Sequence, residues 1–353
     1  MKKLFNFSPT TQRQIKRFKS IKRGYISFII LILILFVTFF AEIFVNNKAL
    51  LVKYEGEYYF PTYGKVIPAK TFGQNLGTGE EETNYRVLQK SFQENGGENY
   101  VLMPFVPYGP KEFDKVEGKE WPLAPGDGHL LGTDEHGRDI VAQLLYGFRV
   151  AFLYSIIVLI ITYVIGVLVG CLMGFWGGTF DLLFQRVIEV WSNIPFLYAV
   201  MIVAALLGKT FFNLVMITVF FSWTGMTWYM RTSTYKEKNR DYIMAARAMG
   251  ASDWRIITKH ILPNTLTLII TFAPFSLASG ITSLTALDYL GFGISAEYPS
   301  WGDLIKQGLE YLDDAYWIGA SVILCMTLIL TLVTFVGEAV REAYDPKKHT
   351  FYE

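Results

Sequence analysis

The sequence predicts an all-α polytopic membrane protein with six transmembrane helices and a mixed extracytoplasmic segment between the first two. Three observations predict it: a shortage of charge, six long charge-free windows, and an uneven distribution of Lys and Arg. Of 353 residues, 52% are hydrophobic and 18% charged, with a mean hydropathy of +0.30. Soluble domains carry about 25% charged residues, so this chain lacks the groups that cover a wet surface. Thirty-two Lys and Arg balance 31 Asp and Glu, which excludes a nucleic-acid binder that works through bulk positive charge. Cys171 and Cys325 both lie in apolar runs, too few for a disulfide framework or a four-thiolate metal centre.

A bilayer core about 30 Å thick needs roughly 18 or more apolar residues per helix. Stretches free of Asp, Glu, Lys and Arg run over 24–41, 150–180, 190–208, 210–230, 261–287 and 315–337. Burying a charge in hydrocarbon costs several kcal/mol, so each window reads as a span. The first is preceded by basic residues, but Glu42-Ile43-Phe44-Val45-Asn46-Asn47 offers no small-x-small cleavage site, and a retained anchor is expected. Pro195 and Pro274 fall inside windows and are expected to kink them.

Orientation follows the positive residues. Residues 1–23 hold eight Lys or Arg and Arg231–His260 holds seven, whereas Asp288–Asp314 has Lys306 alone against six acids. The expected layout is a basic cytoplasmic segment 1–23, a first span 24–45 and a periplasmic segment 46–149. A five-helix core follows over 150–338 with a cytoplasmic loop at 231–263, then a cytoplasmic tail 339–353. Both termini are thus expected inside. In the outer segment, Leu50 to Phe60 reads as two short strands about a Glu55-Gly56 turn. That segment is read as a cap for a soluble partner, the alternative being a loop without one. No tandem repeat is evident.

The loop has the most informative pattern. Tyr242 to Met249 is rich in Ala and Met and predicts a helix. Gly250 stands where a left-handed cap would end it, and Ser252 suits the N-cap of a second helix. That helix pairs Ile256 with His260 and Ile257 with Ile261, and Pro263 is expected to stop it before the membrane. Ala245, Ala246 and Gly250 would present a small-residue surface that another backbone can approach; the alternative is an amphipathic pair resting on lipid headgroups.

These residues carry a resemblance. Ala245-Ala246, Gly250, His260 and Leu262-Pro263 resemble the "EAA" loop of permease subunits of bacterial ABC importers, with Met244 and His260 departing from the general pattern. Tyr242-Ile-Met-Ala-Ala-Arg-Ala-Met-Gly250 followed by His260-Ile-Leu-Pro-Asn264 is similar to the dipeptide and oligopeptide branch. His129 to Arg149, Asp288 to Gly293 with Trp301-Gly302, and Gly337 to Pro346 resemble the outer, post-fifth-span and closing motifs of its C-type subunits. The start, from Arg23 to Pro61, resembles the YejE subgroup, associated with peptides and microcin C-type compounds.

The resemblance implies a type I ABC-importer (MetI-like) permease fold. The partners it implies are a second, B-type permease subunit, two ATPase subunits or one fused ATPase, and a periplasmic peptide-binding protein, in a Gram-negative inner membrane. No covalent chemistry, nucleic acid or cofactor of its own is implied, and ATP and Mg2+ belong to the ATPases. Tyr242, Ala245, Ala246, Arg247, Gly250, His260, Leu262 and Pro263 are the expected ATPase-docking loop. Arg247 is placed either to pair with an acid on the partner or to reach lipid headgroups.

A translocation path needs weak polar groups, and the fifth span offers Ser276, Ser279, Thr282 and Ser283; the alternative is that small residues there only let helices pack. Other candidates rank lower. Gly208-Lys209-Thr210 lacks the first Gly of a phosphate-binding loop, Val203 standing there. His129 and His136 fall short of a zinc ligand set. Asp288 is expected at an interface, and Arg186 is expected to pair with Glu189. The competing function, an ion-coupled secondary transporter, would carry mid-membrane ionisable groups and an internal repeat, and a membrane enzyme would need a clustered reactive site.

Overall fold

In hydrocarbon every backbone N–H and C=O must find its partner within the protein, so the long apolar runs wind into helices. The computed structural model describes residues 9–74, 81–114, 120–126, 128–294 and 298–345; residues 1–8, Pro346 and the rest of the tail lie outside them. Helices α1 (Pro9–Ser20), α2 (Lys22–Phe39) and α3 (Ala41–Phe44) lead into a short sheet, β1 (Leu51–Tyr54), β2 (Glu57–Tyr59) and β3 (Tyr100–Leu102), which holds α4 (Tyr85–Asn95) between its second and third strands. Then come α5 (Ile140–Trp176), α6 (Gly178–Ser192), α7 (Phe196–Leu207), α8 (Phe211–Glu237), α9 (Asp241–Ala248) and α10 (Asp253–Ile256). A π-turn at Ile257–Ile261 leads into α11 (Leu262–Tyr289), followed by α12 (Trp301–Glu310) and α13 (Tyr316–Tyr344).

The chain divides into two compact units. One contains Met1–Leu31, Ala151–Ser295 and Leu328–Glu353; the other contains Ile32–Val150 and Ala296–Thr327. Among the described residues, five helices are long and apolar enough to span a membrane, or six if a pair bent by 70° counts as one. The bent pair is α6 and α7, and it corrects the continuous span expected over 190–208. Pro195 is the N-cap of α7 and not an interior kink; its ring biases Ile194 away from helical geometry. The 12 residues of α7 reach only about 18 Å. The window expected over 150–180 also breaks, at Gly177 and Gly178, both with positive φ. Pro274, by contrast, lies inside α11.

With α5, α8 and α11 each counted as one crossing, parity favours a single crossing by the bent pair. The Trp301 indole Nε1 donates to the Leu144 carbonyl at 2.9 Å and the Trp317 indole to the Thr133 carbonyl at 3.3 Å. Residues 132–147 and 301–317 therefore share one face, and the chain between them must cross an even number of times. Helices α5, α8 and α11 supply three crossings, and α6 with α7 supplies the fourth. In the other unit, Arg23 Nη2 lies 3.1 Å from Glu338 Oε2, so the start of α2 and the last turns of α13 share a face.

The helix seam at the centre of the first unit depends on glycine. A Cβ on Gly166, Gly170 or Gly174 of α5 would lie 2.7, 2.5 or 2.6 Å from the carbonyl oxygens of Trp223, Thr227 and Arg231 on α8. Only glycine allows backbones this close. At the end of the seam Arg231 grips buried Asp181 of α6 with Nε and Nη2, both at 2.6 Å.

In the outer segment the Glu55-Gly56 turn joins β1 to β2 as expected, with φ +49° and +85°. The third strand, pairing Val52 with Val101, was not legible from local pattern. Ala49, Val52, Phe72, Tyr85, Leu88 and Val101 form its core.

Candidate functional site

Helices α5, α8 and α11 enclose a cleft of about 260 Å³. Ser276, Ser279 and Ser283 of α11 line it, facing Ser155, Thr162 and Tyr163 of α5 and Thr218 and Ser222 of α8. The serine spacing of three and four residues puts them on one helical face. Thr282 does not reach the cleft. It falls about 100° round the helix from Ser283, is exposed, and donates instead to the Ala278 carbonyl at 3.0 Å. Gly280 lets Ser155 approach, since a Cβ there would be 2.8 Å from the serine Oγ. The hydroxyls of Tyr163 and Ser276 bond at 2.7 Å, as do those of Tyr154 and Thr218. Among the described residues, no Asp, Glu, Lys, Arg or His lines the cleft. Toward the 231–263 loop its wall includes the stacked rings of Tyr229 and Phe272, with centroids 4.3 Å apart.

The loop begins with α9, ends it at Gly250 with φ +80°, and starts α10 with the Ser252 hydroxyl accepting from the Arg255 N–H at 3.4 Å. Pro263 does not stop the second helix. The intervening π-turn leaves room for the proline ring, whose missing N–H and clash with the preceding turn would break a regular α-helix. The helix therefore runs from Asp253 to Tyr289.

The loop has two unlike sides. Ile243, Ala246, Ile256, Ile257 and Ile261 are buried with Cys171, Phe175, Met226 and Met230. Ala246, 3% exposed, therefore belongs to the core and is not available to the docking surface expected from sequence. Three residues separate it from Ile243, and the two share the inner face. Leu262 packs against the same cluster, and His260 is half-buried. Ala245, Arg247, Gly250 and Pro263 are exposed, in company with Met244, Met249 at 82% and Trp254 at 59%. Tyr242 acts as a clamp: its hydroxyl donates to Glu237 Oε2 at 2.6 Å and accepts from Asn264 Nδ2 at 2.9 Å, tying the end of α8 to the start of α11. The Arg247 guanidinium lies over the Phe175 ring, 5.2 Å from its centroid.

In the outer segment His129 is buried, with Nδ1 at 2.8 Å from Asp139 Oδ2 and Nε2 at 3.2 Å from Asp114 Oδ2. Tyr108 stacks on it at 4.0 Å, and Arg86 lies over the Tyr108 ring while bonding Glu112 and Asp114 at 2.8 and 3.0 Å. Burial alone would lower the imidazole pKa, but the hydrogen bonds it donates to Asp114 and Asp139 outweigh burial and push it up to about 9. The bond to His129 in turn holds the Asp114 carboxyl below its ordinary range. A protonated ring bonded at both nitrogens has no lone pair for a metal. His136 is exposed and 3.5 Å from Glu135. Arg186 pairs with Glu189 at 2.6 Å, Asp288 accepts from the Ile294 N–H at 2.8 Å, and Thr210 caps α8 through Asn213.

Sequence reasoning passed over the glycine seam, although Gly166, Gly170 and Gly174 recur every four residues, a legible signal of close helix contact. It also passed over the His129 cluster, whose members are far apart in the chain.

An uncharged cleft among membrane helices, joined to a loop bare on its outer side, defines a membrane transport component. Residues 166–350 match the family described as "Binding-protein-dependent transport system inner membrane component", and the chain belongs to that family. It is 38% identical over 341 residues to "Inner membrane ABC transporter permease protein YejE" of Escherichia coli, covering 97% of this chain and 98% of that protein. It is 36% identical to "Peptidoglycan transport system permease protein YejE" of Agrobacterium fabrum, covering 97% and 94%. To "Oligopeptide transport system permease protein OppC" of Lactococcus lactis it is 34% identical over 65% of this chain and 79% of the other.

Proposed function

We propose that this chain is the permease subunit of a bacterial inner-membrane ABC importer for short peptides or peptide-like compounds, microcin C-type molecules included. In this reading a second permease subunit completes the path, separate ATPase subunits or one fused ATPase supply the energy with ATP and Mg2+, and a periplasmic protein delivers the peptide. The termini and residues 231–263 face the cytoplasm; residues 46–149 and 288–314 face the periplasm. The basic residues of 1–23 and 231–260 favour that orientation, and the relatives' names, peptidoglycan and oligopeptide transport, have peptides in common.

The observation that carries the reading is the two-sided loop. Its inner face is locked among the spans, and its outer face offers Met244, Ala245, Met249 and Trp254, apolar groups suited to a protein groove. A rigid element gripped on one side and free on the other can carry a partner's movement into the spans. Among the described residues no Asp, Glu, Lys, Arg or His lines the cleft, which weighs against ion coupling. The test is Met249→Asp in the complete importer, since this exposed position tolerates a charge without disturbing the core. Membrane insertion is expected to be unchanged, with ATPase co-purification and ATP-driven uptake lost. Normal uptake by the variant refutes the docking role.

A further inference from the structure

The segment from Gly337 to Arg341 belongs neither to the cleft nor to the loop. Within its unit, α13 lies close against α11: a Cβ on Gly337 would be 2.9 Å from the Phe275 ring and 3.2 Å from the Pro274 Cβ. One turn further on, Arg341 lines a second cavity of about 630 Å³ together with Ser233, Asn264, Thr267, Leu268 and Phe272.

Two features suit this cavity to an anion. Arg23, Arg186, Arg231 and Arg240 each hold a carboxylate, whereas Arg341 has no bonded partner among the described residues. A guanidinium carries five donors in a planar fork matched to an oxyanion. The hydroxyls of Ser233 and Thr267 and the apolar side chains of Leu268 and Phe272 line the same cavity. The cavity also continues the serine cleft. Phe272 lines both, and α8 contributes Ser222 and Tyr229 to the cleft and Ser233, one turn beyond, to the cavity. Phe272, the residue common to both, stacks on Tyr229 of the cleft wall.

The geometry points to Arg341 as a site for the free α-carboxylate of a peptide that has passed the aromatic stack, with Leu268 and Phe272 against the peptide's side chains. This rests on the peptide-import reading. Charge-assisted hydrogen bonds are about twice as strong as neutral ones, so removing the charge at either end of the contact is expected to act on uptake.

The experiment compares uptake of Ala-Phe-Ala and its C-terminal amide by the complete importer in proteoliposomes. The acid-to-amide uptake ratio is measured for wild type and divided by the same ratio for Arg341→Gln. Any preference of the delivery protein enters both ratios and cancels. The expected quotient is about ten, with Arg341→Lys restoring most of it. A quotient of one overturns the proposal. An equal loss for both probes, reproduced by vesicles without anionic lipid, assigns Arg341 to headgroups and also overturns it. If Arg341→Gln does not reach the membrane, Thr267→Val is read the same way, with an expected quotient of about three and one as refutation. A wild-type complex that imports neither probe overturns the peptide reading itself, and the site with it.

Discussion

Replacing Gly170 by alanine adds one methyl group at the tightest point between α5 and α8. The new Cβ would stand 2.5 Å from the Thr227 carbonyl oxygen and 2.8 Å from the Met230 Cβ, where ordinary contact begins at 3.4 Å. The helices must part locally by about 0.9 Å, the difference between those distances. Overpacking of this kind costs roughly 1–3 kcal/mol, which at this chain length lowers the melting temperature by about 1–4 °C. Cys171, buried beside the substituted position, supplies the readout: in a Cys325→Ser background a thiol-reactive fluorophore reports when the seam opens. Gly225 on α8 is the matched control, because a Cβ there meets nothing within 4 Å. Gly225→Ala is expected to leave the midpoint unchanged or raise it by about 1 °C through reduced unfolded-state entropy. Equal midpoints for the two variants would falsify the close-contact argument.

Two further outcomes are expected. Because the His129 pKa is raised in the folded state to about 9 from an ordinary 6.5, its ion pairs stabilise the outer segment fully below pH 6.5. That contribution, at most about 3 kcal/mol, is lost as pH rises through 9; thermal unfolding from pH 6 to 10 should show this slope in wild type and lose it in His129→Gln, and a flat wild-type profile refutes it. Asp181→Asn strips the buried carboxylate from Arg231 and is expected to destabilise by about 3 kcal/mol, with Asp181→Asn/Arg231→Met recovering more than half in denaturant titrations; a double variant no better than the single one counts against the pair.

The spans were legible because a charge-free run of sufficient length has one stable outcome in lipid, and the β1–β2 hairpin because Glu55-Gly56 specifies a local turn. What composition cannot supply is direction. The window over 190–208 has the apolar content of a straight span, yet Pro195 turns it by 70°. Pro263 reads as a stop, yet a π-turn absorbs it. Residue type alone could not separate Ala245 from Ala246; the phase of α9 against its core did. The β1–β3 pairing and the His129 cluster join residues many positions apart, and no periodicity encodes such contacts. The serine face was legible because a 3.6-residue repeat places Ser276, Ser279 and Ser283 together, and the same repeat excludes Thr282.

The π-turn at Ile257–Ile261 also sets a phase. It takes up one residue more than an α-turn would, so the azimuth of Trp254 relative to the serine column of α11 depends on it. Wound as α-helix throughout, the same chain would swing Ser276, Ser279 and Ser283 about 100° around the axis, away from Tyr163 and out of the cleft. Deleting one residue within the π-turn would keep both azimuths, while deleting one a few positions later would misalign them. The widened turn thus works as a spacer that keeps the outward tryptophan and the inward hydroxyls in register along a single rod.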